Sequence, residues 1–106
     1  GKLEIENVAV ILNQVVAEIP KNLNWIIRVD GHTDSTSMVP GAEFKDNWEL
    51  SQARALSVVR FMIADLGFPE DRLAATGFGE FQPVSYGSTA EEMAQNRRIE
   101  IKLTEK

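Results

Sequence analysis

Apolar residues recur at Val8, Ile11, Leu12, Val15, Val16 and Ile19, the spacing of one helical face; Asn7 is placed to cap that helix and Pro20 to end it. Trp25, Ile26, Ile27 and Val29 then form a short β-rich run that stops at Asp30-Gly31, which predicts a central strand. From His32 to about Asp46 the chain carries Ser, Thr, Pro40 and Gly41 and is expected to be irregular. A long helix is predicted from about Trp48 to Leu66, with Gly67 at its C-terminal cap. Residues 73–76 read as a second strand ending at Gly77-Phe78-Gly79, and residues 80–88 as a turn-rich loop around Pro83 and Gly87. Thr89 with Glu92 three residues on is a capping box that opens a short helix. From Arg98 the chain alternates, with Ile99, Ile101 and Leu103 predicted inward and Glu100 and Lys102 outward, as in a half-buried strand. The order helix, strand, helix, strand, helix, strand predicts an α/β (α+β) two-layer sandwich. A first strand at or before residues 3–5 is expected to be short or truncated.

Composition narrows the function more than the fold. The 106 residues fit one domain spanning 1–106, long enough to bury a modest core without metal or disulfide staples. With 43% hydrophobic and 25% charged residues the balance is that of a folded chain, not a disordered one. The formal net charge of -5, without a long basic run, argues against nucleic acid as a partner. The absence of cysteine removes thiolate metal sites, disulfides and cysteine nucleophiles. No apolar run approaches the ~18 residues a membrane span needs, and no leader is visible. Any anchor or export signal is therefore expected upstream of residue 1.

Two polar features carry the candidate chemistry. The first is Asp30-Gly31-His32-Thr33-Asp34 directly after the predicted central strand, where loops of α/β sheets bind ligands. The same residues also suit a polar turn in which Asp34 caps backbone amides. The second is Arg54. On a helix, Leu50, Arg54, Val58 and Phe61 fall on one stripe, so a guanidinium interrupts an apolar face. A charge there needs an anion, since burying it unpaired costs several kcal/mol, by order of magnitude. That anion is either a protein carboxylate, Asp34 or Asp30, or a carboxylate on a ligand. Enzyme readings fail: His32, Asp34 and Ser35 crowd one loop too closely for a catalytic triad. One histidine makes no zinc site, and the Asp30/Asp34 pair lacks the ligand ladder of a calcium loop. Gly77-Phe78-Gly79 precedes no phosphate-binding helix.

Four ordered blocks cover nearly the whole chain: Val29-Asp30-Gly31-His32-Thr33-Asp34, Asn47…Leu50-Ser51…Ala53-Arg54-Ala55, Gly77-Phe78-Gly79…Pro83, and Asn96-Arg97-Arg98-Ile99-Glu100-Ile101. Together they resemble the OmpA-like C-terminal domain. The form Asn47-Trp48-Glu49-Leu50-Ser51 and the long loop 35–46 look most similar to its MotB branch, the flagellar stator type. The resemblance implies a β/α/β/α/β fold with a mixed sheet and helices on one side. It implies non-covalent peptidoglycan binding, no catalysis and no cofactor. It implies a periplasmic domain whose parent is membrane-anchored upstream and which dimerises in MotB-like relatives. Residue by residue, Asp34 matches the aspartate that binds the free ammonium of diaminopimelate, and Arg54 the arginine that binds the carboxylate on the same carbon. Asn47 matches a hydrogen-bonding partner of the stem peptide and Arg97 an arginine near the ligand. His32 and Thr33 shape the loop or offer backbone groups.

The chemistry suits that assignment. The side-chain end of meso-diaminopimelate is a zwitterion, and an arginine fork beside an aspartate matches it. An empty site can pair Asp34 with Arg54 or with water. Cross-linking turns the ammonium into an amide, so uncross-linked stems are the expected ligand. The rival reading uses the same fold as a protein-protein interaction or dimerisation module, with Asp34 and Arg54 as an internal salt bridge.

Overall fold

The computed structural model describes residues 10–105 apart from 12, 15, 21 and 40. The expected strand at residues 3–5 and the Asn7 cap lie outside the described residues. Residues 10, 11, 13, 14, 16 and 17 are helical, and Val16 packs against the core. The order that follows is strand β1 (Trp25–His32), helix α1 (Asn47–Ala64), a 3-10 turn (Glu70–Arg72), strand β2 (Leu73–Gly77), helix α2 (Ala90–Asn96) and strand β3 (Arg98–Glu105). The sheet is mixed, in the order β2-β1-β3, with β1 parallel to β2 and antiparallel to β3. The β-rich run is thus the central strand, as its composition predicts. A parallel neighbour demands a crossover, and α1 supplies it. Among the described residues no helix is long and apolar enough to cross a membrane.

Each element has a local cause. Asp46 caps α1: its carboxylate accepts the Glu49 N–H at 2.9 Å. The helix stops at Ala64, two residues earlier than the spacing predicts. Gly67 (φ +72°) then turns the chain so that the Phe68 N–H reaches the Met62 carbonyl at 3.1 Å and the Phe68 ring enters the core. Thr89 caps α2 by accepting the Glu92 N–H. Arg72, from the 3-10 turn, donates to the Trp25 carbonyl at 2.8 Å and lays its guanidinium 4.7 Å from the Trp25 ring.

The core is Ile27 and Val29 of β1 against Ala55, Val59 and Met62 of α1, with Phe68 closing one end. The stripe α1 buries is Asn47, Ser51, Ala55, Val59 and Met62, one position round from the stripe expected through Leu50, Arg54, Val58 and Phe61. Those four are only half-buried. The cause is a glycine pair in register, Gly31 of β1 and Gly77 of β2. A Cβ on Gly31 would collide with the Ser51 carbonyl oxygen; one on Gly77 would lie 2.6 Å from the Gln52 nitrogen. The first turns of α1 rest on bare backbone, and the small residues Ser51 and Ala55 face it. Leu103 departs from its expected inward place. It is exposed because α1 lies over β1 and β2 and leaves the far end of β3 uncovered. Ile99 and Ile101 do pack on the core.

Gly31→Ala is expected to destabilise the protein by about 2 kcal/mol or more, from overpacking against α1. Gly41→Ala, at a positive φ with open space around it, is expected to cost only about 1 kcal/mol. Urea unfolding of both variants checks this: equal losses would mean that the close approach is not the constraint.

Candidate functional site

The site is built where β1 ends, against the start of α1 and the end of α2. Beyond His32 the chain leaves the sheet, but it is tied down at once. The Thr33 N–H donates to the Gly79 carbonyl at 3.0 Å, and the Phe78 N–H to the Gly31 carbonyl at 3.0 Å. The Thr33 hydroxyl donates to the Asp34 carbonyl at 2.9 Å. Asp34 is therefore held with only 8% of its surface exposed. One carboxylate oxygen accepts the Thr36 N–H at 2.8 Å, an Asx-type turn. The other accepts from Arg97 Nη1 at 2.5 Å. Burial pushes the Asp34 carboxyl up, but the Thr36 amide and the Arg97 guanidinium outweigh it and hold the group below the usual carboxylate value.

Asn47, the first residue of α1, faces the same loop at 7% exposure. Its Nδ2 donates to the carbonyls of Asp34 (3.3 Å) and Thr36 (3.1 Å). Two carbonyl acceptors fix the orientation of the carboxamide, which leaves Oδ1 buried with no hydrogen-bond partner. Such an orphan acceptor typically costs about 1–3 kcal/mol and invites a donor. Two turns along α1, on the same side as Asn47, lies Arg54. It does not pair with Asp34, as an empty site was expected to allow, because Arg97 occupies that carboxylate. Asp30, the other expected partner, is fully buried and taken by Arg28, Nε–Oδ1 2.7 Å and Nη2–Oδ2 3.0 Å. Among the described residues Arg54 makes no salt bridge. Half-buried on the shoulder of α1, it needs no internal anion.

Of the residues singled out in the sequence, Thr33, Asp34, Asn47 and Arg97 come together, with Arg54 on the adjoining face of α1. His32 does not join them. Strand alternation sends Gly31 towards α1 and His32 to the opposite face with Arg28 and Asp30. There its ring stacks on Phe78 at 5.1 Å, and Nε2 lies 3.6 Å from Glu100, itself paired to Arg98 and Lys102. Both imidazole nitrogens are buried without a hydrogen bond. Burial, together with Arg98, depresses the His32 pKa despite Glu100 and Asp30.

Two supporting residues stood in the motif blocks with no role assigned to them. The Ser51 hydroxyl accepts the Gly79 N–H at 2.9 Å and donates to the Trp48 carbonyl, which pins the Gly77-Phe78-Gly79 turn to α1. Asn96 accepts the N–H groups of Val84 and Ser85 and donates to the Ser85 carbonyl, which folds the β2–α2 loop beside Arg97. Only the placement of Asn96 before Arg97 in a motif block marks it in the sequence.

The OmpA family profile matches residues 2–97. The chain belongs to the OmpA family. Curated members similar to it include Motility protein B of Bacillus subtilis, 35% identical over 91 residues, which are 86% of this chain and 33% of that protein. Another is the peptidoglycan-binding protein ArfA of Mycobacterium bovis, 34% identical over 91 residues, 86% of this chain and 26% of that one. This OmpA-family chain thus spans well under half the length of the curated relatives it matches, 39% at most among those it resembles most and 20% of another. The C-terminal domain of Helicobacter pylori MotB has the same fold, with TM-score 0.78 and 28% identity over 98% of this chain and 73% of that one. The expected mixed-sheet α/β architecture and MotB-branch likeness both hold. A member of this family is a structural binding module, not an enzyme.

As the one histidine of the OmpA-family chain, His32 gives a unique imidazole NMR signal. It is expected to titrate below its ordinary value of 6.5. Between the two values the unfolded state binds more protons. The contribution of His32 to stability is therefore complete above about 6.5 and lost as pH falls through the folded value. A midpoint at or above 6.5 in the titration would contradict the burial argument.

Proposed function

We propose that this domain binds peptidoglycan non-covalently through the zwitterionic end of diaminopimelate in uncross-linked stem peptides. The observation that carries the reading is the orphan acceptor Asn47 Oδ1, buried beside an ionised carboxylate whose counter-charge comes from Arg97. Asp34 is a fixed, charged carboxylate. Asn47 Oδ1 beside it is a buried acceptor lacking a donor. Arg54 is a guanidinium with no salt-bridge partner among the described residues. An ammonium satisfies Asp34 and Asn47 together, and the carboxylate on the same carbon accepts the Arg54 fork. Arg97 keeps Asp34 ionised while the site is empty and adds positive charge beside the ligand carboxylate. Thr33 positions the loop through its backbone and hydroxyl, and His32 supports it from behind the sheet. The name of the relative ArfA supports peptidoglycan as the ligand class.

In this reading the domain sits in the periplasm, as the Helicobacter pylori MotB domain does, and tethers a membrane-anchored parent to the wall. Homodimerisation, as a MotB-like domain would undergo it, is compatible with the same site. Cross-linking replaces the ammonium by an amide and removes the charge that Asp34 attracts.

Calorimetric titration with a diaminopimelate-containing tripeptide tests the proposal. The wild type is expected to bind, and Asp34→Ala and Arg54→Ala, both folded, to bind at least about tenfold more weakly, since loss of one partner of a desolvated charge pair costs about 2–5 kcal/mol. No binding by a folded wild type would overturn the reading. In the same assay a matched cross-linked muropeptide is expected to bind more weakly than the uncross-linked one; equal affinities would remove ammonium recognition from the account.

A further inference from the structure

His32 is only 4% exposed on the face of the sheet away from α1, and neither of its ring nitrogens has a hydrogen-bond partner among the described residues. An unpaired polar ring in such a place calls for a reason. Its ring lies parallel to Phe78 within 5°, centroids 5.1 Å apart. That stack joins the two segments from which the ligand loop hangs. The residues flanking His32 are bonded to the same turn: the Gly31 carbonyl receives the Phe78 N–H, and the Thr33 N–H reaches the Gly79 carbonyl. The stack is thus the side-chain member of a clamp whose other members are two backbone bonds. The turn is itself anchored to α1, through the Ser51 hydroxyl on the Gly79 N–H and through Phe81, which stacks on Trp48 at 4.9 Å. One residue beyond the clamp is Asp34.

The surroundings suit a neutral ring. The charged groups that face it are Arg28 and Asp30 from β1 and Arg98, Glu100 and Lys102 from β3; the turn and the loop after it contribute Phe78, Gln82 and Pro83, none of them charged. Three cations against two carboxylates leave one positive charge over. Both carboxylates also have partners already, Asp30 in Arg28 and Glu100 in Arg98 and Lys102. Glu100 lies 3.6 Å from Nε2, beyond hydrogen-bond length. The Phe78 ring already has the Arg28 guanidinium 5.7 Å from its centre. A second proton on the imidazole therefore buries a further positive charge and two unpaired N–H groups. A cavity of about 240 Å³ adjoins the ring, lined also by Pro83, Glu100 and Lys102. A charged ring relieves itself by leaving Phe78 for that cavity and its water, and in doing so it opens the clamp.

We propose that His32 is a positioning residue for the ligand loop: as a neutral ring stacked on Phe78 it holds Thr33 and Asp34 in place, and its protonation weakens binding of the stem peptide. This rests on the peptide-binding reading above and adds a control of the same site by pH. Affinity is complete above the His32 midpoint and lost as pH falls through it. Asp34, held below the usual carboxylate value, stays ionised to lower pH than an ordinary carboxylate and gives no such loss near neutrality.

The test uses the whole chain. The midpoint of the imidazole signal is measured by NMR, and a diaminopimelate-containing tripeptide is then titrated by calorimetry about one pH unit above and about one below that midpoint. Binding is expected to be at least about threefold tighter above it, and by reciprocity a saturating tripeptide is expected to lower the midpoint itself. His32→Phe keeps an aromatic ring on Phe78 and takes up no proton, so its affinity is expected to be the same at the two pH values. Glu100→Gln removes the carboxylate nearest Nε2, and the imidazole midpoint and the pH at which affinity falls are expected to move down together. Equal affinities of the wild type at the two pH values, with the tripeptide bound at both, would overturn this inference and leave the peptide-binding reading standing. A pH dependence that persists in His32→Phe, or a midpoint that the tripeptide does not move, would assign the titration to another group and overturn it as well. Failure of the tripeptide to bind above the midpoint would overturn both readings.

Discussion

The close approach of α1 to the sheet is the constraint on which the site depends. A helix ordinarily rests on side chains; here the first turns of α1 sit on the paired glycines Gly31 and Gly77, where no Cβ would fit. That seats Ser51 where its hydroxyl can take the Gly79 N–H, and Asn47 where its carboxamide can reach the carbonyls of the 34–36 loop. The loop after β1 and the turn after β2 are then fixed to each other through Thr33 and Gly79. A polar loop of this length would ordinarily be mobile. Three neighbouring backbone elements tie its first residues down instead.

The central strand serves both faces of the sheet. Ile27, Val29 and Gly31 meet α1, and Arg28, Asp30 and His32 meet the charged residues Arg98, Glu100 and Lys102 of β3. Asp30 is fully buried yet satisfied by the Arg28 fork, so that face needs no apolar cover. Two carboxylates four residues apart, Asp30 and Asp34, thus have separate tasks: one balances charge within the sheet, the other looks out at the site. Arg97, just past the end of α2, gives the second a counter-charge, and Arg54 has no salt-bridge partner among the described residues.

Much of this was legible in the sequence. Alternation and turn residues placed β1, β2, β3, α1 and α2 to within a few residues, because those signals are local. The motif blocks pointed to Thr33, Asp34, Asn47 and Arg97, which the fold does bring together. The buried stripe of α1 was misplaced by one position, since apolar count favoured Leu50, Val58 and Phe61 over Ser51 and Ala55. What decided it was a glycine floor two elements away, which favours small residues. Leu103 was placed inside by its period alone, but coverage by α1 ends before it reaches that part of β3.

By itself, the sequence determined the order of elements, the polar character of the loop after β1 and the charged residue types at hand. Those follow from periodicity, caps and turn chemistry within a few neighbours. Only the tertiary structure decided how the charges pair: Arg28 with Asp30, Arg97 with Asp34, and Arg54 with neither. It also decided that His32 turns to the far face, that Asn47 keeps an unmet acceptor and that Trp48 finds Phe81. Pairing depends on which atoms lie within about 3 Å across elements far apart in the chain. No spacing along the chain encodes that distance until the helix has settled onto the sheet.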